Sequence, residues 1–185
     1  MSNNQAVWQK LGAGLSTTSS SEALQKAGLD WKVEKKPIYL TNDGNQELNE
    51  IPNSQAVVRI DNNSVLGIVG ERYEIVQNHE AFTWCDEIFH EQEIVFERAG
   101  LIHGGSTIWM LAKMKESIEV TVNDYVNQYL LLTTSHDGSS SISVYLTPIR
   151  VVCANTLALA KNSAGENHFR IKHTKNVTIA MTEFV

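Results

Sequence analysis

The apolar positions of this chain fall mainly into short runs separated by polar turns. Ile94 to Ala99 and Thr107 to Lys113 read as strands, joined by a loop that contains His103-Gly-Gly-Ser106. Val126 to Thr134 and Ser141 to Thr147 form the next pair. Asp137-Gly138 between them is a strong hairpin-turn signal. Earlier, Ala56 to Ile60 and Val65 to Val69 flank Asp61-Asn-Asn-Ser64, again a hairpin pattern.

Two stretches change to the helical period. After Asn78, a good helix cap, Ala81, Phe82, Cys85, Ile88 and Phe89 fall on one face, with Glu80, Asp86, Glu87 and Glu91 on the other. Thr147-Pro148 reads as a cap followed by proline at the first helical position, and Ile149, Val152, Cys153, Thr156 and Ala160 give that helix its buried stripe. His168 to His173 is one more extended segment.

The beginning of the chain is patterned less clearly. Residues 1 to about 28 look loosely held, with an unbroken Ser/Thr run from Ser16 to Ser21 and a short helix over Glu22 to Ala27 capped by Ser21. Trp31, Val33 and Ile38 suggest an extended segment interrupted by Pro37, and Asn42 to Gln46, with Asp43-Gly44, a hairpin turn. The expected organisation is a partly irregular N-terminal extension over 1–50 and an α+β core over 51–185 that ends in a basic strand. The core is expected to be a mostly antiparallel sheet with two main helices packed on it.

Composition narrows the function classes. The chain has 185 residues, enough to bury a core without disulfides. Cys85 and Cys153 form no CxxC pair and read as small core residues. The N-terminus is polar, with no basic start leading into an apolar run, and no apolar stretch approaches the ~20 residues that span a bilayer. A cytoplasmic protein with no membrane contact is expected. The formal net charge of −6 argues against coating duplex DNA over a whole surface. Charge is uneven, however. Acidic residues dominate from Asp61 to Glu97, whereas the stretch from Pro148 to Lys175 holds Arg150, Lys161, Arg170, Lys172 and Lys175 against Glu166. That basic end reads either as a binding face or as a strand edge whose cations prevent edge pairing.

Several segments together carry a resemblance: Gly28-Leu-Asp-Trp-Lys-Val33 with Pro37-Ile-Tyr39, Gly70-Glu-Arg-Tyr-Glu-Ile-Val-Gln-Asn78 with Glu80-Ala-Phe82, Gly104-Gly105 with Ile108-Trp109, Leu131 through Leu157, and Phe169-Arg-Ile-Lys-His-Thr174. In this order they span most of the chain, which resembles the phage/plasmid-like family classed as a domain of unknown function. The resemblance implies a setting in phages, plasmids and integrated elements, but no settled mechanism. Comparable members continue with a further helical segment, so the resemblance implies that Val185 marks a truncation or a compact variant.

Candidate chemistry is sparse. Ser135-His136-Asp137 does not make a catalytic triad, because adjacent residues entering a tight turn do not converge on one point. The better reading is that Asp137-Gly138 makes the turn and the Ser/Thr hydroxyls satisfy exposed backbone groups; a further one is that Thr133 to Ser141 forms a polar hairpin tip whose hydroxyls and amides follow a phosphate backbone, with His136 and Ser139 as contacts. His79, Asp86 and His90 fall near one side of the first helix, and Asp86 and His90, four apart, suit a shared metal with His136 as a further candidate, but no complete ligand set has tell-tale spacing. Neither a P-loop nor a strand–GxGxxG–helix unit is present. Thr147, Pro148 and Arg150 place a helix N-terminus beside a guanidinium, a phosphate-binding combination that Arg170 and Lys172 would extend; the plainer alternative is that Arg150 pairs with one of the many carboxylates, for example on the first helix. Trp84 and Trp109 read as core, and Trp31, Tyr39 and Tyr73 as the better candidates for exposed aromatics; Trp8 is the fourth tryptophan.

The leading expectation is a non-enzymatic accessory protein that binds nucleic acid, single-stranded DNA in the first instance. Arg150, Arg170, Lys172 and Lys175 would hold phosphates, and no cofactor is expected. The alternatives are a module that binds a host or phage protein, such as a counter-defence factor, and a metal-dependent hydrolase. Open strand edges also suggest a homo-oligomer.

Overall fold

A computed structural model describes residues 11–42, 45–88, 93–175 and 177. In chain order the elements are β1 (Ala13–Thr17), α1 (Ser20–Lys26), β2 (Val33–Asn42), β3 (Asn45–Arg59), β4 (Val65–Gly70), α2 (Asn78–Ile88), β5 (Val95–Ile102), β6 (Thr107–Thr121), β7 (Asp124–Ser135), β8 (Ile142–Thr147), α3 (Ala154–Ser163) and β9 (His168–Ile171). All strand pairs are antiparallel. They form a six-stranded sheet in the order β1-β5-β6-β7-β8-β9 and a three-stranded sheet in the order β2-β3-β4. The α+β reading holds, with two sheets where one was expected.

The near-continuous apolar runs of β6 and β7 have a physical reason: the larger sheet is buried on both faces. Side chains alternate across a strand. Ile108, Met110 and Ala112 of β6, with Leu130 and Leu132 of β7, join one cluster with Ala23 and Leu24 of α1, Phe82 and Cys85 of α2 and Val57 and Val69 of the smaller sheet. Trp109 and Leu111, with Tyr129, Leu131 and Tyr145, join a second cluster with Val151 and with Leu157 and Ala160 of α3. Trp109, Phe82 and Phe96 are fully buried. Truncating such a ring to alanine costs about 3–5 kcal/mol.

The first fifty residues take more part in this core than their composition suggests. Residues 11–28, read as loosely held, form β1, paired with β5, and α1, whose N-cap is Ser19 in place of Ser21. Leu24, Leu29, Trp31 and Val33 belong to the same cluster as Phe96. The segment from Val33 onward is one long strand, and Pro37 lies within it beside a register shift between Pro37 and Tyr39. The Asp43-Gly44 turn lies outside the described residues, although Asn42 and Asn45 on either side pair with each other.

Both helix starts differ from expectation. Asn78 opens α2 but does not cap it. Its side chain is buried, donates to the carbonyls of Leu29 and Trp31, and accepts from His136. The third helix begins at Ala154, six residues after Pro148. Thr147 instead accepts the amide N–H of Ile149 in a local hydroxyl turn, and the chain from Pro148 to Val152 runs on unwound until Thr156 Oγ1 accepts the N–H groups of Val152 and Cys153. The loop at His103-Gly-Gly-Ser106 is a tight turn that lies against Leu66, Arg59 and Trp31 through Gly105.

Candidate functional site

The hairpin tip between β7 and β8 is built by its own polar side chains. Gly138 takes the left-handed conformation with φ 73°. Asp137 Oδ1 accepts the N–H of Ser139 at 2.9 Å. Ser135 Oγ accepts the N–H of Ser140 and donates to the carbonyl of the same residue. Burial pushes the Asp137 carboxyl up, but hydrogen bonds from Ser139, Ser106 and Ser135 outweigh it and hold the group below the ordinary carboxylate range.

Beside this tip lies a pocket of 310 Å³, lined by Tyr73, Gly138, Ser139, Ser140, Ser141, Lys172 and His173. Its floor is neutral and hydrogen-bonded. The Tyr73 hydroxyl donates to the Ser135 carbonyl at 2.7 Å, and burial, with Asp137 nearby, pushes its pKa upward. The His173 ring stacks on Tyr73 with centroids 4.9 Å apart. His173 Nδ1 faces the Glu74 carbonyl and must carry the proton, so Nε2 accepts from Thr134 Oγ1. Burial draws the His173 pKa down, with the bond to Glu74 working against it. The rim is different: Lys172 and Ser139 are exposed. An ammonium over serine hydroxyls suits an anion of about phosphate size.

The basic edge continues from here. β9 is the last strand of its sheet, with Arg170 opposite Ser143 and His168 opposite Tyr145. The Arg170 guanidinium lies 6.0 Å from the centre of the Tyr145 ring, on which His168 also stacks. Lys161 of α3 reaches the same neighbourhood. Burial holds its ammonium below the usual range, Tyr145 opposes that, and Arg170 adds to it. Arg170, Lys172 and Lys175 are exposed, and among the described residues no carboxylate pairs with them.

Three of the six expected contacts thus share the β9 edge and its extension, Arg170, Lys172 and Lys175, and Ser139 meets Lys172 across the pocket. Two do not join them. Arg150 donates from Nε to Glu97 of β5 at 2.9 Å. That strand is four sheet positions from β9, ~19 Å at ~4.8 Å per strand. With α3 starting later than expected, Arg150 also has no helix N-terminus beside it. His136 is fully buried and is no surface contact. Its Nε2–H is fixed by Asn78 Oδ1 at 2.7 Å, because the Asn78 amide donates elsewhere, and its Nδ1 is buried without a partner. Burial pushes its pKa down to about 4, with His173 adding to this and Asp137 opposing it.

Other expectations change as well. Trp31 and Tyr73 are buried, and of the three aromatics expected at the surface Tyr39 alone is well exposed. Trp31 packs against His136 and carries the Arg59 guanidinium over its ring at 4.2 Å. Trp8, Phe89, His90 and Glu91 lie outside the described residues. Asp86, expected on a solvated face, is half-buried and accepts hydrogen bonds from the Ser20 N–H and hydroxyl. Among the described residues no group of three or more His, Cys, Asp or Glu side chains stands together to hold a metal, and no helix is long and apolar enough to cross a membrane.

No curated protein and no solved structure matches the chain. One family does. Its sequence pattern covers residues 65–184, from β4 through β9, and takes in all seven pocket residues and the basic edge. The chain belongs to the family described as Domain of unknown function (DUF932).

Proposed function

We propose that the chain is a non-enzymatic, cytoplasmic accessory protein of a phage or plasmid type that binds single-stranded nucleic acid, DNA in the first instance, along the β9 edge. One observation carries the reading. Lys172 stands with Ser139, Ser140 and Ser141 around one anion-sized pocket, while Arg170 and Lys175, close to Lys172 along the chain, have no carboxylate partners among the described residues. Lys172 and the serine hydroxyls hold one phosphate, and Arg170 and Lys175 meet phosphates to either side. The buried floor of Tyr73 and His173 keeps the pocket in shape. Such contacts fix the strand's position and carry no base preference.

The test is fluorescence anisotropy of a labelled single-stranded oligonucleotide over a salt series, for the wild type and for Arg170→Ala/Lys172→Ala. Binding should weaken as salt rises. Removing two phosphate contacts should flatten the slope of log K against log salt by about 1.4. No binding at low salt by folded protein would overturn the proposal.

A second reading, a module that binds a host or phage protein, is favoured by the exposure of Glu80 on α2; Arg150 does pair with Glu97, but its side chain is exposed and not buried in that pair. The α2 face would receive a basic partner surface, and binding there would be unaffected by Arg170→Ala/Lys172→Ala.

A further inference from the structure

Two hairpins outgrow the sheets that support them. β3 is paired on both sides only from Ser54 to Val58, where β4 lies alongside. Beyond Ser54, β2 and β3 continue as a two-stranded ribbon through Tyr39↔Glu50, Leu40↔Asn49 and Thr41↔Leu48, and the register shifts where the ribbon leaves, between Pro37 and Tyr39. β6 and β7 do the same. β5 follows β6 as far as Lys113, β8 follows β7 as far as Tyr129, and the register shifts between Lys113 and Ser117.

A two-stranded ribbon is at best marginally stable in water, yet these ribbons carry many of the chain's exposed large apolar side chains. Tyr39, Leu40 and Leu48 are 46, 58 and 63 % exposed. Unsupported ribbons with open backbone edges and apolar side chains are built to be covered.

Charge selects the cover. The sequence from 38 to 53 contains Asp43, Glu47 and Glu50 and neither lysine nor arginine. The 114–128 ribbon is also acid-leaning, with Glu116, Glu119 and Asp124 against Lys115, so ribbon-to-ribbon pairing brings like charges together. The complementary surface is the β9 edge with Lys161, Arg170, Lys172 and Lys175. Its outer side has no strand neighbour among the described residues, although the His168 N–H is already bonded to the Glu166 carbonyl and the Lys172 carbonyl to the Thr174 N–H.

We infer that the chain assembles head to tail with further copies of itself, the acidic, apolar β2–β3 ribbon of one copy adding to the basic β9 edge of the next. The two patches differ, so a pair of copies still has one ribbon and one edge free, and the assembly grows into a ring or a filament. Strand addition supplies main-chain hydrogen bonds, and the apolar and charged side chains set the partner. The ribbon uses the surface assigned above to nucleic acid, so assembly and strand binding compete. That competition rests on the nucleic-acid reading; the assembly does not.

The test uses the full chain, with light scattering on a sizing column at several concentrations, and two variants with circular dichroism as the fold check. Leu48→Ser/Glu50→Lys spoils the ribbon, and Arg170→Glu/Lys172→Glu spoils the edge. The wild type should show a mass at least twice the monomer's that falls with salt. Each variant alone should be monomeric. An equimolar mixture should give a heterodimer and nothing larger, because it retains one good ribbon facing one good edge. A wild type monomeric at every concentration, variants that still assemble, or a mixture that stays monomeric would each overturn the inference. The two readings fail separately. A monomer that binds the oligonucleotide sinks assembly alone, and an assembly whose ribbon variant binds no oligonucleotide sinks the nucleic-acid reading alone.

Discussion

His136 makes the core sensitive to acid, and the structure sets by how much. The ring is fully buried, Nε2–H is committed to Asn78, and Nδ1 has no partner. A second proton on Nδ1 would place a charge among Trp31, His173 and the Arg59 guanidinium that covers Trp31, with Asp137 as the one nearby anion. The folded state therefore keeps the ring neutral down to about pH 4, whereas the unfolded chain protonates near 6.5. Between those values the unfolded state binds more protons, so stability is fully present above pH 6.5 and falls as the pH falls toward 4. A gap of about 2.5 units at ~1.36 kcal/mol each is ~3 kcal/mol, of which ~2.5 kcal/mol lies between pH 7 and pH 4.5. His136→Gln keeps a donor for Asn78 and removes the titration. Urea unfolding of both proteins at pH 7 and pH 4.5 gives the comparison. The wild type should lose ~2.5 kcal/mol more than the variant, because most carboxylates are common to both proteins and their contribution cancels. Equal losses would show that His136 does not titrate in this window and would refute the reasoning.

Two further outcomes follow from single contacts. A Cβ at Gly67 of β4 would stand 2.5 Å from the Cα of Asp137, where the smaller sheet meets the hairpin tip, so Gly67→Ala should cost about 1–3 kcal/mol and lower the melting temperature by about 2–4 °C per kcal/mol. The two thiols should separate by reactivity: Cys153, half-exposed and with its pKa lowered by Thr156, should react with a disulfide reagent in the native protein, whereas Cys85, buried and with its pKa raised, should react only on unfolding, so native titration of both at one rate would contradict the fold.

The elements were legible where a local signal has a single structural meaning. Asp137-Gly138 makes the turn it advertises, and the apolar runs of β6 and β7 become strands. Where one signal serves two structures, pattern reading chose wrongly. A threonine before proline caps a helix or makes a hydroxyl turn with the same spacing, and Thr147 does the second because Val151 must be buried and Leu11 must pair with the Val152 carbonyl. Asn78 looks like a cap, yet its side chain is taken by Leu29, Trp31 and His136, partners far away in sequence. The same long-range pairing hid the site. Tyr73, His173 and the hairpin tip meet only because the segment after β9 docks on residues 73 and 74, through the Tyr73–His173 stack and the Glu74 N–H to His173 carbonyl bond. The basic edge was visible as composition, because its cations sit within a few residues of one another, while Arg150 was misplaced by the late start of α3.

That both faces of the larger sheet are buried bears directly on where function can sit. An open antiparallel sheet can present a whole face to a ligand, and a sheet beside helices suggests such a platform. Here the cluster around Phe82 and Phe96 takes one face and the cluster around Trp109 and Leu157 takes the other. Among the parts that packing does not cover are the tip of a hairpin, the edge of a terminal strand and the ends of strands longer than their neighbours. The exposed serines, the free cations and the exposed apolar side chains of the ribbons occupy those places. A function on the sheet face would need Trp109 or Met110, both fully buried, to become accessible. Substitutions that alter binding without unfolding the protein should therefore cluster at residues 38–53, 137–141 and 168–175, and should be absent from the sheet interior.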